Sequence, residues 1–212
     1  MNQKNKIEYL FKILVVGDIG TGKTSIIKRL VYNIFSEYYK STVGVDFALK
    51  VINLKNNIVV SLQLWDIAGQ ERFGNMTRIY YKEALGAFVV FDISRINSFE
   101  SVLKWKNDID NKITIGEDNK SIPIILLANK CDLPNKEHIK SKQELDIFCE
   151  ENKFVGWEFV SAKDNINIDK STFFLVKKIL ELTNNNLGII NDNDDIITNF
   201  AKKKKQKNNC CN

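Results

Sequence analysis

The sequence predicts an α/β fold: a mainly parallel six-stranded sheet with one antiparallel strand and helices on both faces. Three observations predict it. Strand-like apolar runs alternate with helical stretches along the chain. Several of those runs are apolar nearly throughout, as expected of strands buried on both faces. One pair is separated only by Lys55, Asn56 and Asn57, the spacing of a hairpin, which supplies the antiparallel strand.

Taken in order, "YLFKILVVG" (9–17) is a buried strand, and a helix follows from about Lys23 to Asn33. "VDFALKVINL" (45–54) and "IVVSLQLW" (58–65) flank the hairpin turn. "AFVVFDI" (87–93), "IPIILLANK" (122–130) and "WEFVSA" (157–162) are further buried strands, with helical stretches at 97–112, 141–152 and 169–183 between and after them. From about Thr183 the composition turns to Asn, Asp and Lys and hydrophobic periodicity is lost. The chain therefore divides into a domain at 1–183 and a tail at 184–212 expected to be disordered, with an r.m.s. reach of roughly 30 Å. There are no internal repeats.

Length and composition narrow the class. With 212 residues, 44% apolar and 27% charged, the chain suits one soluble globular domain with a full core. Its longest apolar runs, such as "IPIILLA" (122–128), fall far short of the ~20 residues that span a bilayer. The N-terminal residues lack the apolar core and cleavage site of a secretory signal, so a cytosolic product is expected. Four cysteines are too few and scattered for a disulfide framework, and Cys131 and Cys149 read as core residues. The net charge of +5 is matched by five lysines within "KKKKQK" (202–207). The basic excess thus belongs to the tail, which argues against a nucleic-acid-binding face on the domain.

Chemistry enters at "VVGDIGTGKTS" (15–25). Gly17, Gly22, Lys23 and Thr24 satisfy G-x-x-x-x-G-K-[ST] between a strand and a helix, the context this phosphate-binding loop requires. Glycines let the backbone wrap a phosphate, and the N–H groups of Gly20, Thr21, Gly22, Lys23, Thr24 and Ser25 lead into the helix N-terminus. Lys23 offers a point charge between β- and γ-phosphates, and Thr24 a hydroxyl for Mg²⁺. The loop alone does not choose between ATP and GTP.

"LLANKCD" (126–132) makes that choice. Asn129, Lys130 and Asp132 follow a buried strand and emerge at its carboxyl end, where open α/β sheets bind ligands. Asp132 can accept from the two N–H groups of the guanine edge, whereas adenine would meet it with a lone pair. Ser161, Ala162 and Lys163 close the last strand and can offer backbone N–H groups to the guanine carbonyl. "LWDIAGQE" (64–71) supplies a third part. There Asp66 can reach the Mg²⁺ shell, Gly69 lets an amide approach the γ-phosphate, and Gln70 can orient an attacking water. Thr42 is the natural second hydroxyl for the metal.

These residues resemble the small GTPases, a P-loop NTPase fold, over about residues 9–183. Within them "VGVDF" (43–47), "RFGNMT" (72–77), "YYKEA" (80–84), "VFDIS" (90–94) and the paired terminal cysteines resemble the Rab family. "GVDFALKV" and the run from Trp65 to Ser94 are most similar to the Rab thirty-two and thirty-eight subgroup, with Ile67 where most Rabs carry threonine. The resemblance implies a GTP/GDP switch with an exchange factor, an activating protein, a GDP-dissociation inhibitor and effectors as partners. It implies Phe35 stacking on guanine, and Phe47, Trp65 and Tyr80 as an effector-facing aromatic trio. Strand parity puts Trp65 with Ser61 and Gln63 on a polar face, but puts Phe47 with Val45, Leu49 and Val51, a pattern that would bury it.

Cys210-Cys211-Asn212 is not a C-a-a-X box and resembles the dicysteine ends that carry two geranylgeranyl groups. Two lipid chains, or one chain plus a basic patch, are what stable anchoring needs, and each tail lysine can add ~1 kcal/mol against an anionic leaflet. The expected location is the cytoplasmic side of endosomal, phagosomal or lysosome-related membranes, with a soluble pool. Ile19 keeps a second function open. It stands where Ras-like relatives have glycine and most Rabs serine, and its bulk beside the γ-phosphate can crowd Gln70 or an incoming arginine, leaving a module that holds GTP and barely hydrolyses it. A P-loop kinase or ATPase is disfavoured by the guanine motif and the lack of a lid-like insertion.

Overall fold

The computed structural model describes residues 6–38, 40–70, 77–115, 120–134 and 141–183. Six strands form one sheet in the order β2-β3-β1-β4-β5-β6, where β1 is Ile7–Val16, β2 Val45–Asn53, β3 Ile58–Ile67, β4 Gly86–Asp92, β5 Ile124–Asn129 and β6 Gly156–Val160. Every neighbouring pair is parallel except β2 with β3. The hairpin between those two turns on Asn56 and Asn57, both at φ 61, a left-handed conformation that asparagine tolerates better than most residues. The expected mixed sheet is present in strand number and in sense.

The helices are α1 (Lys23–Tyr32), α2 (Thr77–Tyr81), α3 (Ile96–Glu100), α4 (Val102–Lys112), α5 (Lys142–Glu151) and α6 (Ile168–Thr183). Two differ from the sequence reading. The stretch at 97–112 is two helices that meet at Ser101, and α2 went unanticipated because five residues carry too little periodicity. A capping box starts α5: Ser141 Oγ accepts from Glu144 N at 3.2 Å, and Ser141 N donates back to Glu144 Oε2 at 2.7 Å.

The continuous apolar runs of β4 and β5 are buried along their whole length because helices cover both faces. On one side Phe11, Ile13, Val60, Leu62 and Leu64 pack with Ile26 and Leu30 of α1 and Leu175 and Ile179 of α6. On the other, Leu14, Val89, Leu126 and Ala128 pack with Tyr81, Trp105, Ile109 and Leu145. Each such fully buried side chain contributes about 1.5–3 kcal/mol, so the two cores hold the strand ends rigidly. Cys149 is a core residue as expected, and burial pushes its thiol up to about 12. Cys131 is only half-buried, a partial correction, because it lies two residues beyond the end of β5, in the turn at Cys131 and Asp132.

The half of the sheet formed by β2 and β3 leaves one face open. Phe47 is 64% exposed, with Leu49 and Val51 exposed on the same face. Parity grouped these residues correctly, but among the described residues no helix covers that face, so the pattern's prediction of burial for Phe47 fails. No described helix is long and apolar enough to cross a membrane. The tail at 184–212, with Lys202 to Lys207, Cys210 and Cys211, lies outside the described residues, as does 71–76.

Candidate functional site

The carboxyl ends of the parallel strands converge, and five loops meet there: Gly17 after β1, Ala68 after β3, Ser94 after β4, Lys130 after β5 and Ser161 after β6. Those after β1, β3 and β5 border an open cleft. Gly20, Gly22, Lys23, Thr24 and Ser25 line it from the phosphate loop, Phe35 and Thr42 from the segment after α1, Gly69 and Gln70 from the loop after β3, and Lys130 from the loop after β5; Asp132, Ser161, Ala162 and Lys163 lie outside this lining. Lys28 and Lys40 add two further ammonium groups, giving the cleft a cationic character suited to a polyphosphate.

The loop is shaped by contacts from behind. Gly22 sits at φ 95, and a Cβ there would lie 2.2 Å from Asn129 Nδ2, so this position requires glycine. Asn129 is buried and spends its amide on the protein: Nδ2 donates to Thr21 O at 2.7 Å and Oδ1 accepts from Ala162 N at 3.3 Å. It therefore ties the phosphate loop to the loop after β6. Lys23 Nζ donates to the carbonyls of Gly17 (2.8 Å) and Asp18 (3.0 Å). Burial lowers its ammonium to about 8, against the pull of Asp66 and Asp18.

On the cleft floor three side chains named from the sequence come together. Thr24 Oγ1 and Thr42 Oγ1 are 2.8 Å apart, and both donate to Asp66 Oδ2, Thr42 at 3.2 Å. Asp66 is buried, which raises its carboxyl above the usual range against the hydrogen bond from Thr24 and the charge of Lys23. Its Oδ1 has no hydrogen-bond partner among the described residues. A carboxylate with a spare buried oxygen beside two hydroxyls suits a hard divalent cation such as Mg²⁺, which binds few protein ligands and keeps its waters. No cluster of three or more His, Cys, Asp or Glu exists among the described residues, so a softer multi-ligand metal site is not found there.

Gly69 packs directly on the phosphate loop, where a Cβ would lie 2.4 Å from Ile19 N and 2.7 Å from Asp18 C. Ile19 is 44% exposed and lines the same cleft as Gln70, so the isoleucine faces the cleft rather than the core. Beyond β5, Asp132 Oδ1 accepts from Ser161 Oγ at 2.6 Å, and Asp164 N donates to the same hydroxyl at 2.9 Å. Lys163 is exposed and pairs with Glu37 at 3.3 Å. Phe47 and Trp65 stand 6.3 Å apart, Lys12 Nζ lies 3.8 Å from the Trp65 ring centre, and Tyr80 is half-buried.

Sequence reasoning missed an outer set of residues. Trp105 Nε1 donates to Asp18 Oδ1 at 2.8 Å, and Arg29 donates to the carbonyls of Ala162 (2.8 Å) and Lys163 (2.9 Å). Asp92, buried at the end of β4, accepts from Lys130 Nζ at 2.6 Å and from Arg95 Nε at 2.9 Å. Burial disfavours its charge, but hydrogen bonds from Lys130 and Ser94 outweigh that and hold the carboxyl below the usual range. An aspartate closing the apolar run "AFVVFDI" was the available signal; Trp105, Arg29 and Arg95 carried none.

A model described as the Ras family matches residues 12–181. Ras-related protein Rab-32A of Dictyostelium discoideum is 64% identical over 174 residues, covering 82% of this chain and 80% of its own. Ras-related protein Rab-32 of Homo sapiens is 54% identical over 208 residues, covering 96% and 90%. Ras-related protein Rab-7L1 of Homo sapiens is 42% identical over 204 residues, covering 96% and 98%.

Proposed function

As the chain belongs to the Ras family and, within it, to the Rab GTPases, we propose a membrane-anchored switch that holds GTP with Mg²⁺, hydrolyses it slowly and recruits effectors while GTP is bound. That the chain is a GTPase binding guanine nucleotide follows from the family. The observation that carries the finer reading is the meeting of Thr24, Thr42 and Asp66 on the floor of a cleft lined by the phosphate loop, Gly69 and Gln70.

In this reading the N–H groups from Gly20 to Ser25 and the Lys23 ammonium hold the phosphates. Lys23 turns to them from the carbonyls of Gly17 and Asp18. Thr24, Thr42 and Asp66 fit Mg²⁺ and would hold it, and the bound ion would neutralise charge building on the phosphates. Phe35 and Lys130 flank guanine, Asp132 accepts from its N–H edge, and the loop at Ser161, Ala162 and Lys163 faces its carbonyl. Gln70 orients the attacking water. Ile19 intrudes on that water's space and favours a low intrinsic rate, to be raised by a partner's arginine. Loss of the γ-phosphate removes the contacts that order Thr42 and Gly69, which resets the surface around Phe47, Trp65 and Tyr80 for effectors.

Cys210 and Cys211 carry the lipid, the tail lysines add attraction to an anionic leaflet, and an inhibitor of GDP dissociation maintains the soluble pool. Endosomal, phagosomal or lysosome-related membranes are the proposed site. Deleting both cysteines moves the chain to the soluble fraction, and a deletion variant still on membranes would remove the lipid claim. The nucleotide reading is tested by competition between GTP, ATP and xanthosine triphosphate. GTP is retained over ATP, and Asp132→Asn shifts preference toward xanthine, which carries a carbonyl where guanine has its amino donor. ATP preferred over GTP, or a guanine preference untouched by Asp132→Asn, contradicts the reading.

A further inference from the structure

We propose that Arg95 is a positioning residue of the phosphate loop: anchored on Asp92, it holds the Ile19 carbonyl so that the Gly20 N–H is presented to the nucleotide's phosphates. This rests on the guanine-nucleotide reading above. The geometry lies in one guanidinium. Its Nε donates to Asp92 Oδ2 at 2.9 Å and its Nη2 to Ile19 O at 2.8 Å.

The anchor is itself fixed. Asp92 is 1% exposed, and its Oδ1 accepts from Ser94 N at 3.0 Å and Ser94 Oγ at 2.7 Å. Lys130 Nζ donates to the same Oδ2 at 2.6 Å. A guanidinium is planar and rigid, so pinning one of its nitrogens fixes where the others point.

The peptide between Ile19 and Gly20 transmits that constraint. There are no cis peptide bonds among the described residues, and in a planar trans peptide the C=O and the following N–H point in opposite directions. Arg95 reaches the loop from the chain between β4 and α3, whereas Gly20 lines the cleft. A carbonyl turned toward Arg95 therefore turns the Gly20 N–H away from it, toward the cleft. Asn129 does the same for the next peptide but one, holding Thr21 O and so aiming the Gly22 N–H. Because Asp92 also holds Lys130, one buried carboxylate links the base end of the site to the phosphate end.

The test uses the full-length chain loaded with a fluorescent GDP analogue. Arg95→Ala should release it about tenfold faster, the scale of losing one charged hydrogen bond at a half-exposed side chain. In the GDP-bound protein the Gly20 amide cross-peak in a ¹H–¹⁵N spectrum should move. Millimolar guanidinium should slow release from Arg95→Ala, and equal sodium chloride should not. Arg95→Lys should fall between, since one ammonium cannot hold both oxygens with the same geometry; if Arg95→Ala does not fold, this variant carries the test. Release within twofold of wild type, or an unmoved Gly20 cross-peak, overturns the proposal. A wild-type chain that retains no GDP at all would sink the nucleotide reading and the clamp together, whereas retention unaltered by either variant sinks the clamp alone.

Discussion

Replacing Asn129 with alanine removes a side chain whose two polar atoms join loops that follow β1 and β6. Its Nδ2 bond to Thr21 O is 2.7 Å long and buried, and its Oδ1 bond from Ala162 N is 3.3 Å long and buried. The variant leaves one carbonyl and one N–H without partners, at about 1–3 kcal/mol each. The longer bond counts at the low end, so the sum is about 3 kcal/mol. For a chain of this size 1 kcal/mol moves the melting temperature by about 2–4 °C, so the nucleotide-free protein should melt about 6–12 °C lower. Differential scanning fluorimetry reads this directly. Asn129→Asp should fare no better: it can still accept from Ala162 N, but sets a carboxylate against the Thr21 carbonyl. Asn152→Ala, which loses only a part-buried bond to Phe148 O at the end of α5, is the control and should cost about 1 kcal/mol or less. A shift under 3 °C for Asn129→Ala, or an Asn129→Asp chain as stable as wild type, would refute the claim that Asn129 is the tie between these loops.

Three other perturbations follow from the same geometry. Trp105→Phe keeps most of the buried ring but loses the bond to Asp18 Oδ1, and urea unfolding should show a loss of about 1–2 kcal/mol. Gly69→Ala drives a methyl into the backbone at Ile19 and Asp18, which cannot yield as a flexible side chain can. Single-turnover GTP hydrolysis should fall by about a hundredfold while GDP affinity changes little. Burial raises the Cys149 thiol to about 12, so the folded chain keeps a proton that the unfolded chain loses near pH 9. The stability from that protonated thiol is complete below pH 9 and is lost as pH rises from 9 to 12, and Cys149→Ala should flatten the pH dependence of unfolding in that window. Alkylation followed by mass spectrometry should modify Cys131 well before Cys149 in the native protein.

Strands were legible wherever both faces are covered, as in β4 and β5, because burial on both sides forces an unbroken apolar run. The phosphate loop was legible because close backbone approach restricts residue type at fixed spacing: a Cβ at Gly22 would lie 2.2 Å from Asn129 Nδ2. Phe47 was not legible from alternation: period two separates the faces of a strand without saying which face a helix covers. Asn129 was named as a base residue, and the structure adds its tie between two loops, a role set by distance across the fold. Arg95, Arg29 and Trp105 are distant in sequence from the loops they hold, and an arginine or tryptophan on a helix or just before one is ordinary. Only the folded arrangement makes them informative.

The central claim is that one cleft holds GTP over Mg²⁺ and hydrolyses it slowly through a water oriented by Gln70. The measurement that bears on it most directly is phosphate release from the GTP-loaded full-length chain after Mg²⁺ is added, in wild type and in Gln70→Leu. Wild type should release phosphate slowly, over hours, and Gln70→Leu should retain GTP while releasing at least about tenfold less. Equal release from the two, or release independent of Mg²⁺, would contradict the account.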